Sequence, residues 1–140
     1  MGRILAIDYG QKRVGLAVTD ELQLIATGLD TVHVKDIFDY LKSYVNHENV
    51  EKFVVGEPRN LDNSPSDARR FIEPFVKQLR KHFPLIPVFR VDERFTSKMA
   101  REVILQSGIG KKARQNKALV DKISATIMLQ SFMLQMKTTV

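Results

Sequence analysis

The first thirty residues alternate between short apolar runs and turn residues, which predicts three consecutive short strands. Gly10 and the Asp20-Glu21 pair mark the two turns between them. Because tight turns join neighbouring strands in opposite directions, we expect an antiparallel meander. Its three predicted strands cover residues 3–7, 13–19 and 23–29.

Helical and strand-like patterns alternate along the rest of the chain. Apolar residues spaced by three and four positions predict helices, and short apolar runs that end on turn residues predict strands. Phe71 is among the residues that we expect to face inward in the second helix. The predicted elements after the meander are a helix over 34–45, a strand over 52–55, a helix from about 64 to about 82, a strand over 87–91, a helix from 96 or 97 to about 106, and a last helix from about 115 to 136.

This order predicts the fold class. Strands that are joined by helices pair in parallel, so parallel strands should follow the antiparallel meander. The chain is therefore predicted to form an α/β fold with a five-stranded mixed sheet flanked by helices. Its 140 residues fit one domain that spans 1–140.

The amino-acid composition excludes several classes of functional site. The absence of cysteine excludes disulfides, cysteine-bound zinc and thiol nucleophiles. No apolar run reaches the length of a membrane span, and the N-terminus lacks the layout of a signal peptide, so we expect a cytoplasmic protein without a membrane partner. The net charge of +6 favours a polyanionic partner such as nucleic acid, although a basic protein without that role is equally compatible with charge alone.

Acidic residues follow several predicted strands. Asp8 ends the first strand, Glu57 lies just past the fourth, and Asp92 and Glu93 end the fifth. Since ligands gather at the carboxyl ends of the strands in an open α/β sheet, these side chains are candidates to converge. For each acid alone, capping of a turn or helix or a salt bridge is the better explanation, for example from Asp92 to a neighbouring arginine, or from Glu57 to Arg59. Asp8, Glu93 and Asp121 taken together favour a shared site.

Asp121 adds an acid from the last predicted helix. It shares a helix face with small and apolar residues, so this face can lie close against the sheet. A charge in that place is costly to bury without a partner, and a metal ion is one such partner. Mg²⁺ and similar hard cations prefer carboxylate oxygens, and a pair of such ions about 4 Å apart can catalyse phosphodiester hydrolysis.

Basic residues accompany the acids. Lys12 and Arg13 lie on the predicted hairpin beside Asp8, and arginine suits bidentate contact with phosphate, although an exposed hairpin tip explains them as well. Arg94 follows the acids of the fifth strand. The densest basic cluster precedes Asp121, where a solvated linker is the alternative to a phosphate-binding segment. Its basic residues are Lys111, Lys112, Arg114 and Lys117.

Four ordered motifs together resemble the YqgF (RuvX) family of RuvC-like nucleases, and the resemblance covers essentially the whole chain. The first motif alone is weak, because Asp-x-Gly after a strand also opens sugar kinases and actin-like ATPases. The motifs are Asp8-x-Gly10-x-Lys12-Arg13-x-Gly15-x-Ala17, Val54-Val55-Gly56-x-Pro58, Asp92-Glu93-Arg94-x-Thr96-Ser97 and Asp121-Lys122-Ile123-x-Ala125.

The resemblance implies a ribonuclease H-like fold and a nuclease that processes the 5′ end of precursor 16S rRNA. Carried over position by position, it implies catalytic and metal-binding roles for Asp8, Glu93 and Asp121, with Mg²⁺ or Mn²⁺ as the cofactor. Glu57 departs from the family pattern, in which this position is usually apolar, and it is a tentative fourth metal ligand. The predicted phosphate contacts come from Lys12, Arg13, Arg94 and the basic cluster.

Three alternatives stay open at this point. The family is also described as resolving Holliday junctions, so the substrate can be branched DNA instead of precursor rRNA. A nucleic-acid-binding or ribosome-binding module without catalysis would need the same basic residues. A nucleotide-binding fragment of the sugar-kinase or actin type is a third alternative. The chain is expected to be a monomer or a weak homodimer, and junction cleavage would require a dimer.

Overall fold

The structure is a computed structural model that describes residues 2–57, 69–92 and 116–138. The helix predicted over about 96–106 and the start of the helix predicted from 64 lie outside these residues. A single 3-10 turn over Val34–Asp36 precedes the first α-helix. The elements in chain order are β1 (Arg3–Tyr9), β2 (Arg13–Thr19), β3 (Ala26–His33), α1 (Ile37–His47), β4 (Val50–Glu57), α2 (Arg69–His82), β5 (Val88–Asp92) and α3 (Lys117–Thr138).

The five strands form one mixed sheet in the order β3-β2-β1-β4-β5. β1 is antiparallel to β2, and β2 is antiparallel to β3, whereas β4 is parallel to both β1 and β5. The prediction of a meander followed by parallel strands is therefore confirmed. At the first turn the Gly10 N–H donates to the Arg13 carbonyl at 2.9 Å. A Cβ on Gly10 would lie 2.7 Å from that same oxygen, so the turn requires glycine.

The third strand begins later than predicted over 23–29, and that prediction was wrong in its bounds. The Asp20 carboxylate accepts backbone N–H bonds from Leu24 and Ile25 at 2.8 and 2.9 Å, which hold the segment in a turn. Gln23 has a φ of 59°, in the left-handed region that strands do not use. The bond from Ile25 is also the main reason why the pKa of Asp20 lies below its ordinary value.

The sheet is covered on both faces. Because side chains alternate along a strand, each strand contributes to two separate cores. Helices α1 and α2 cover one face, and α3 covers the other. The prediction for Phe71 was wrong: it is 43% exposed, and its neighbour Ile72 fills the core instead. Among the described residues, no helix is long and apolar enough to cross a membrane.

The sheet residues that face α1 and α2 are large, whereas those that face α3 include alanine and glycine. The smaller residues allow α3 to lie close to the sheet. The buried sheet residues on the α1 and α2 face are Leu5, Ile7, Val14, Leu16, Val50, Phe53 and Val55. Those on the α3 face are Ile4, Ala6, Ala17, Val54 and Val91.

Candidate functional site

Asp8 lies on the face of the sheet that α3 covers. Its neighbour Tyr9 belongs to the opposite face, where its ring stacks on Phe75 at a centroid distance of 4.3 Å. Burial in that core raises the pKa of Tyr9. Since consecutive strand residues point to opposite faces, Asp8 is directed towards the α3 side, at the end of β1.

Asp121 is brought to the same place by the close approach of α3 to β2. Gly15 is the register partner of Asp8 in the neighbouring strand. A Cβ on Gly15 would lie 2.7 Å from the carbonyl carbon of Asp121 and 3.1 Å from its Cβ. The first turns of α3 are fixed by two hydrogen bonds, from Thr31 Oγ1 to the Ala118 carbonyl and from the Leu119 N–H to Asn116 Oδ1.

Arg13 contacts Asp121 directly. Its Nε donates to Asp121 Oδ2 at 2.8 Å, and the two side chains are 38% and 24% exposed. Arg13 lies on β2 two residues before Gly15, so it faces α3 as well. The sequence predicted both residues as site members, but it did not predict that they pair with each other.

A cavity of about 280 Å³ opens at this point. Two carboxylates face two cations in it, and the remaining lining is polar or glycine. The lining residues are Asp8, Gly10, Gln11, Lys12, Arg13 and Asp121. The sequence analysis missed Gln11 as a lining residue. Its position between the hairpin glycine and Lys12 could have indicated that it lines the cavity.

The donor atoms of the cavity fit a hard divalent cation. Asp8 and Asp121 both offer carboxylate oxygens, and Mg²⁺ is typically held by one or two carboxylates together with water and substrate phosphates. Within the described residues, no group of three or more His, Cys, Asp and Glu side chains is arranged to hold a metal ion. The third predicted ligand, Glu93, lies outside those residues.

Glu57 and Asp92 form a second acidic position. They are register partners at the ends of β4 and β5. Because side chains alternate along a strand, Glu57 lies on the same face as Val55, and Asp92 lies on the same face as Arg90. This is the α2 face of the sheet, opposite to the face of Asp8. Arg90 pairs with Glu73 of α2 at 2.9 Å and also donates to two β4 carbonyls. The alternation therefore favours Asp8 and Asp121 over Glu57 as ligands of a shared ion.

The predicted phosphate-binding residues divide into two groups. Lys12 is exposed at the hairpin, and Lys117 is exposed at the start of α3. The others lie outside the described residues, so the structure does not test them. They are Arg94, Lys111, Lys112 and Arg114.

Two solved structures share the fold. A fowlpox virus resolvase in complex with Holliday junction DNA matches with a TM-score of 0.59 at 12% identity, over 96% of this chain and 98% of the other. RuvC of T. thermophilus in complex with a Holliday junction substrate matches with a TM-score of 0.57 at 19% identity, over 99% and 98%. These neighbours have the ribonuclease H-like fold, which confirms the predicted fold class.

Relatives of known name are much closer in sequence. A protein of Phocaeicola vulgatus is 57% identical over 95% of this chain and 96% of its own length. One from Porphyromonas gingivalis is 54% identical, with the same coverage. Both carry the name "Putative pre-16S rRNA nuclease". The family model described as "RuvX: Holliday junction resolvase" matches residues 2–135. The resemblance inferred from the four motifs is thus confirmed, and the chain belongs to the RuvX family.

Proposed function

We propose that this protein is a divalent-metal-dependent nuclease that hydrolyses phosphodiester bonds in nucleic acid. The observation that carries the proposal is the convergence of Asp8 and Asp121 on one polar cavity that Lys12 and Arg13 also line. Membership of the RuvX family and the nuclease names of its relatives support it. Mg²⁺ or Mn²⁺ bound there supplies an activated water and stabilises the developing negative charge.

The residues of the chain are proposed to bind either the cation or the phosphates of the substrate. Asp8 and Asp121 hold the cation, and Glu93 is the proposed third ligand. Lys12 and Arg13 bind phosphates of the substrate, and the cationic side chains farther along the chain add to this binding. Such contacts position the nucleic-acid backbone without reading base sequence.

The proposed substrate is precursor 16S rRNA, cleaved at its 5′ end. The names of the relatives support RNA as the substrate. A second candidate, cleavage of branched DNA, is favoured by the description of the matching family model. We further propose that the protein acts in the cytoplasm, as one domain, and as a monomer or a weak homodimer. Because two symmetric cuts in a junction need a dimer, the mass in solution separates the two substrates.

The test incubates the purified protein with two labelled substrates, a precursor 16S rRNA with an extended 5′ end and a four-way DNA junction. Each reaction is run in Mg²⁺, in Mn²⁺ and in EDTA. We expect cleavage of the RNA that EDTA abolishes. Asp8→Asn and Asp121→Asn should each reduce the rate at least about 100-fold, because loss even of outer-shell partners in metal sites costs 10- to 100-fold.

Asp39→Asn is the matched control. It makes the same chemical change at an exposed position on α1, which packs against the opposite face of the sheet. It should cleave at the wild-type rate. RNA binding without cleavage in either metal would support the non-catalytic module instead. Wild-type rates in the Asp8→Asn variant would contradict the proposed site.

A further inference from the structure

Arg13 and Asp121 make a contact with each other that competes with the role proposed for each of them. The Arg13 guanidinium is suited to bind a substrate phosphate, yet its Nε donates to Asp121 Oδ2 at 2.8 Å. The Asp121 carboxylate is suited to bind a cation, yet the same oxygen accepts that bond. Neither group can form its proposed contact fully while the two are paired, since the cation and the guanidinium compete for one carboxylate.

The surroundings of the pair allow an exchange. Both side chains line the cavity and are partly exposed, at 38% and 24%, so water and ions reach them. Partly exposed ion pairs are weak and break readily. The backbones of both residues are fixed, Arg13 in a central strand pair and Asp121 above Gly15. Only the Arg13 side chain has to turn to leave one partner for another.

We propose that Arg13 is a positioning residue that exchanges its contact with Asp121 for a contact with a substrate phosphate. This inference rests on the proposed function and deepens it. Without substrate, Arg13 neutralises Asp121 and weakens cation binding. Substrate phosphate draws Arg13 away and frees the carboxylate. Binding of the cation and binding of nucleic acid therefore favour each other, and by linkage the factor is the same in both directions.

Lys12 provides the matched comparison. It carries the same charge, precedes Arg13 in sequence and lines the same cavity. It is exposed and makes no ion pair with any described residue, unlike Arg13. Arg13→Gln and Lys12→Gln therefore remove equal charge from the cavity, and only Arg13→Gln removes the competitor for Asp121. Arg13→Lys retains the charge but loses the planar donor group.

The first experiment measures Mn²⁺ binding by calorimetry without nucleic acid. Arg13→Gln should bind Mn²⁺ about fivefold more tightly than wild type, and Lys12→Gln less than about twofold more tightly, given the measured range of partly exposed ion pairs. Arg13→Lys should lie between wild type and Arg13→Gln. An equal gain in Arg13→Gln and Lys12→Gln would mean that charge alone acts, and it would overturn the exchange.

The second experiment measures coupling by the anisotropy of a labelled RNA stem-loop, with Ca²⁺ or with K⁺ at equal ionic strength. The K⁺ arm corrects for screening of phosphate contacts. Wild type should bind RNA about fivefold more tightly in Ca²⁺, at the upper end for such a pair. Arg13→Gln should bind RNA equally tightly in Ca²⁺ and in K⁺. Lys12→Gln should bind RNA more weakly than wild type in both salts, but its binding should still be about fivefold tighter in Ca²⁺.

The outcomes separate the two proposals. If the wild-type protein cleaves RNA and binds Mn²⁺, but Arg13→Gln retains the full coupling, the exchange is wrong and the nuclease stands. If the wild-type protein neither binds Mn²⁺ nor cleaves either substrate in any metal, the proposed function fails and the exchange fails with it.

Discussion

Gly15→Ala is expected to damage both stability and the candidate site, because it forces α3 away from the sheet. The added Cβ would lie 2.7 Å from the carbonyl carbon of Asp121. Carbon atoms in contact sit about 3.5–4.0 Å apart, so helix and strand must separate by about 1 Å. The new Cβ would meet the backbone of Asp121, so no flexible side chain can move aside to relieve the contact. Overpacking of this kind costs about 1–3 kcal/mol.

The same displacement moves Asp121 relative to Asp8. A shift of about 1 Å in a catalytic arrangement lowers the rate by about 100-fold. Two assays measure the two effects. Urea unfolding gives the free energy of unfolding, and the RNA cleavage assay described above gives the rate. Both should fall together in Gly15→Ala, although Asp121 itself is unchanged.

Gly28→Ala is the matched control. Gly28 also faces α3, but its added Cβ would lie 3.4 Å from Thr126 Oγ1, which is an ordinary contact distance. This variant should be as stable as wild type or more stable by up to about 1 kcal/mol, because alanine restricts the unfolded chain. If Gly15→Ala unfolds at the same urea concentration as Gly28→Ala, the close approach of α3 does not hold Asp121 in place.

Two further predictions concern residues outside the site. Burial and, secondarily, the nearby Asp30 carboxylate raise the pKa of Tyr40 to about 12, so the folded state keeps a proton that the unfolded state loses above pH 10. The free energy of unfolding, measured by urea unfolding, should therefore fall between pH 10 and 12. Tyr40→Phe should lessen that fall, and an equally steep fall with pH in this variant would contradict the prediction. Arg90→Met should lower the free energy of unfolding by about 1–2 kcal/mol, as it removes three hydrogen bonds to α2 and β4. An unchanged free energy of unfolding in Arg90→Met would refute this role of the three bonds.

The sheet was predictable because its signals are local. Turn residues follow the first two strands of the meander, and the parallel pairing follows from the intervening helices. The start of β3 was not predictable, because it is decided by hydrogen bonds that the backbone N–H groups of Leu24 and Ile25 donate to the Asp20 carboxylate. Side-chain capping of this kind can outweigh an apolar pattern, and apolar residues then remain exposed: Ile25 is 66% exposed.

The candidate site was predictable as a set of residues but not as an arrangement. Asp8 stands out because a carboxylate follows an apolar strand, and Asp121 because it lies on a helix face of small residues. Their convergence depends on Gly15, whose missing side chain admits the α3 backbone. The contact between Arg13 and Asp121 joins residues 108 positions apart, and no local pattern encodes it. Strand alternation, seen only once the register was known, separates Glu57 from Asp8.

The candidate site takes its carboxylates from the first strand and the last helix of the described fold. Closing a loop of this length is slow compared with forming the local hairpin of β1 and β2. During synthesis on the ribosome, the hairpin emerges long before α3 does. A partly made chain thus holds Asp8 and Arg13 without Asp121, and the site proposed for cleavage is assembled only after α3 has been translated.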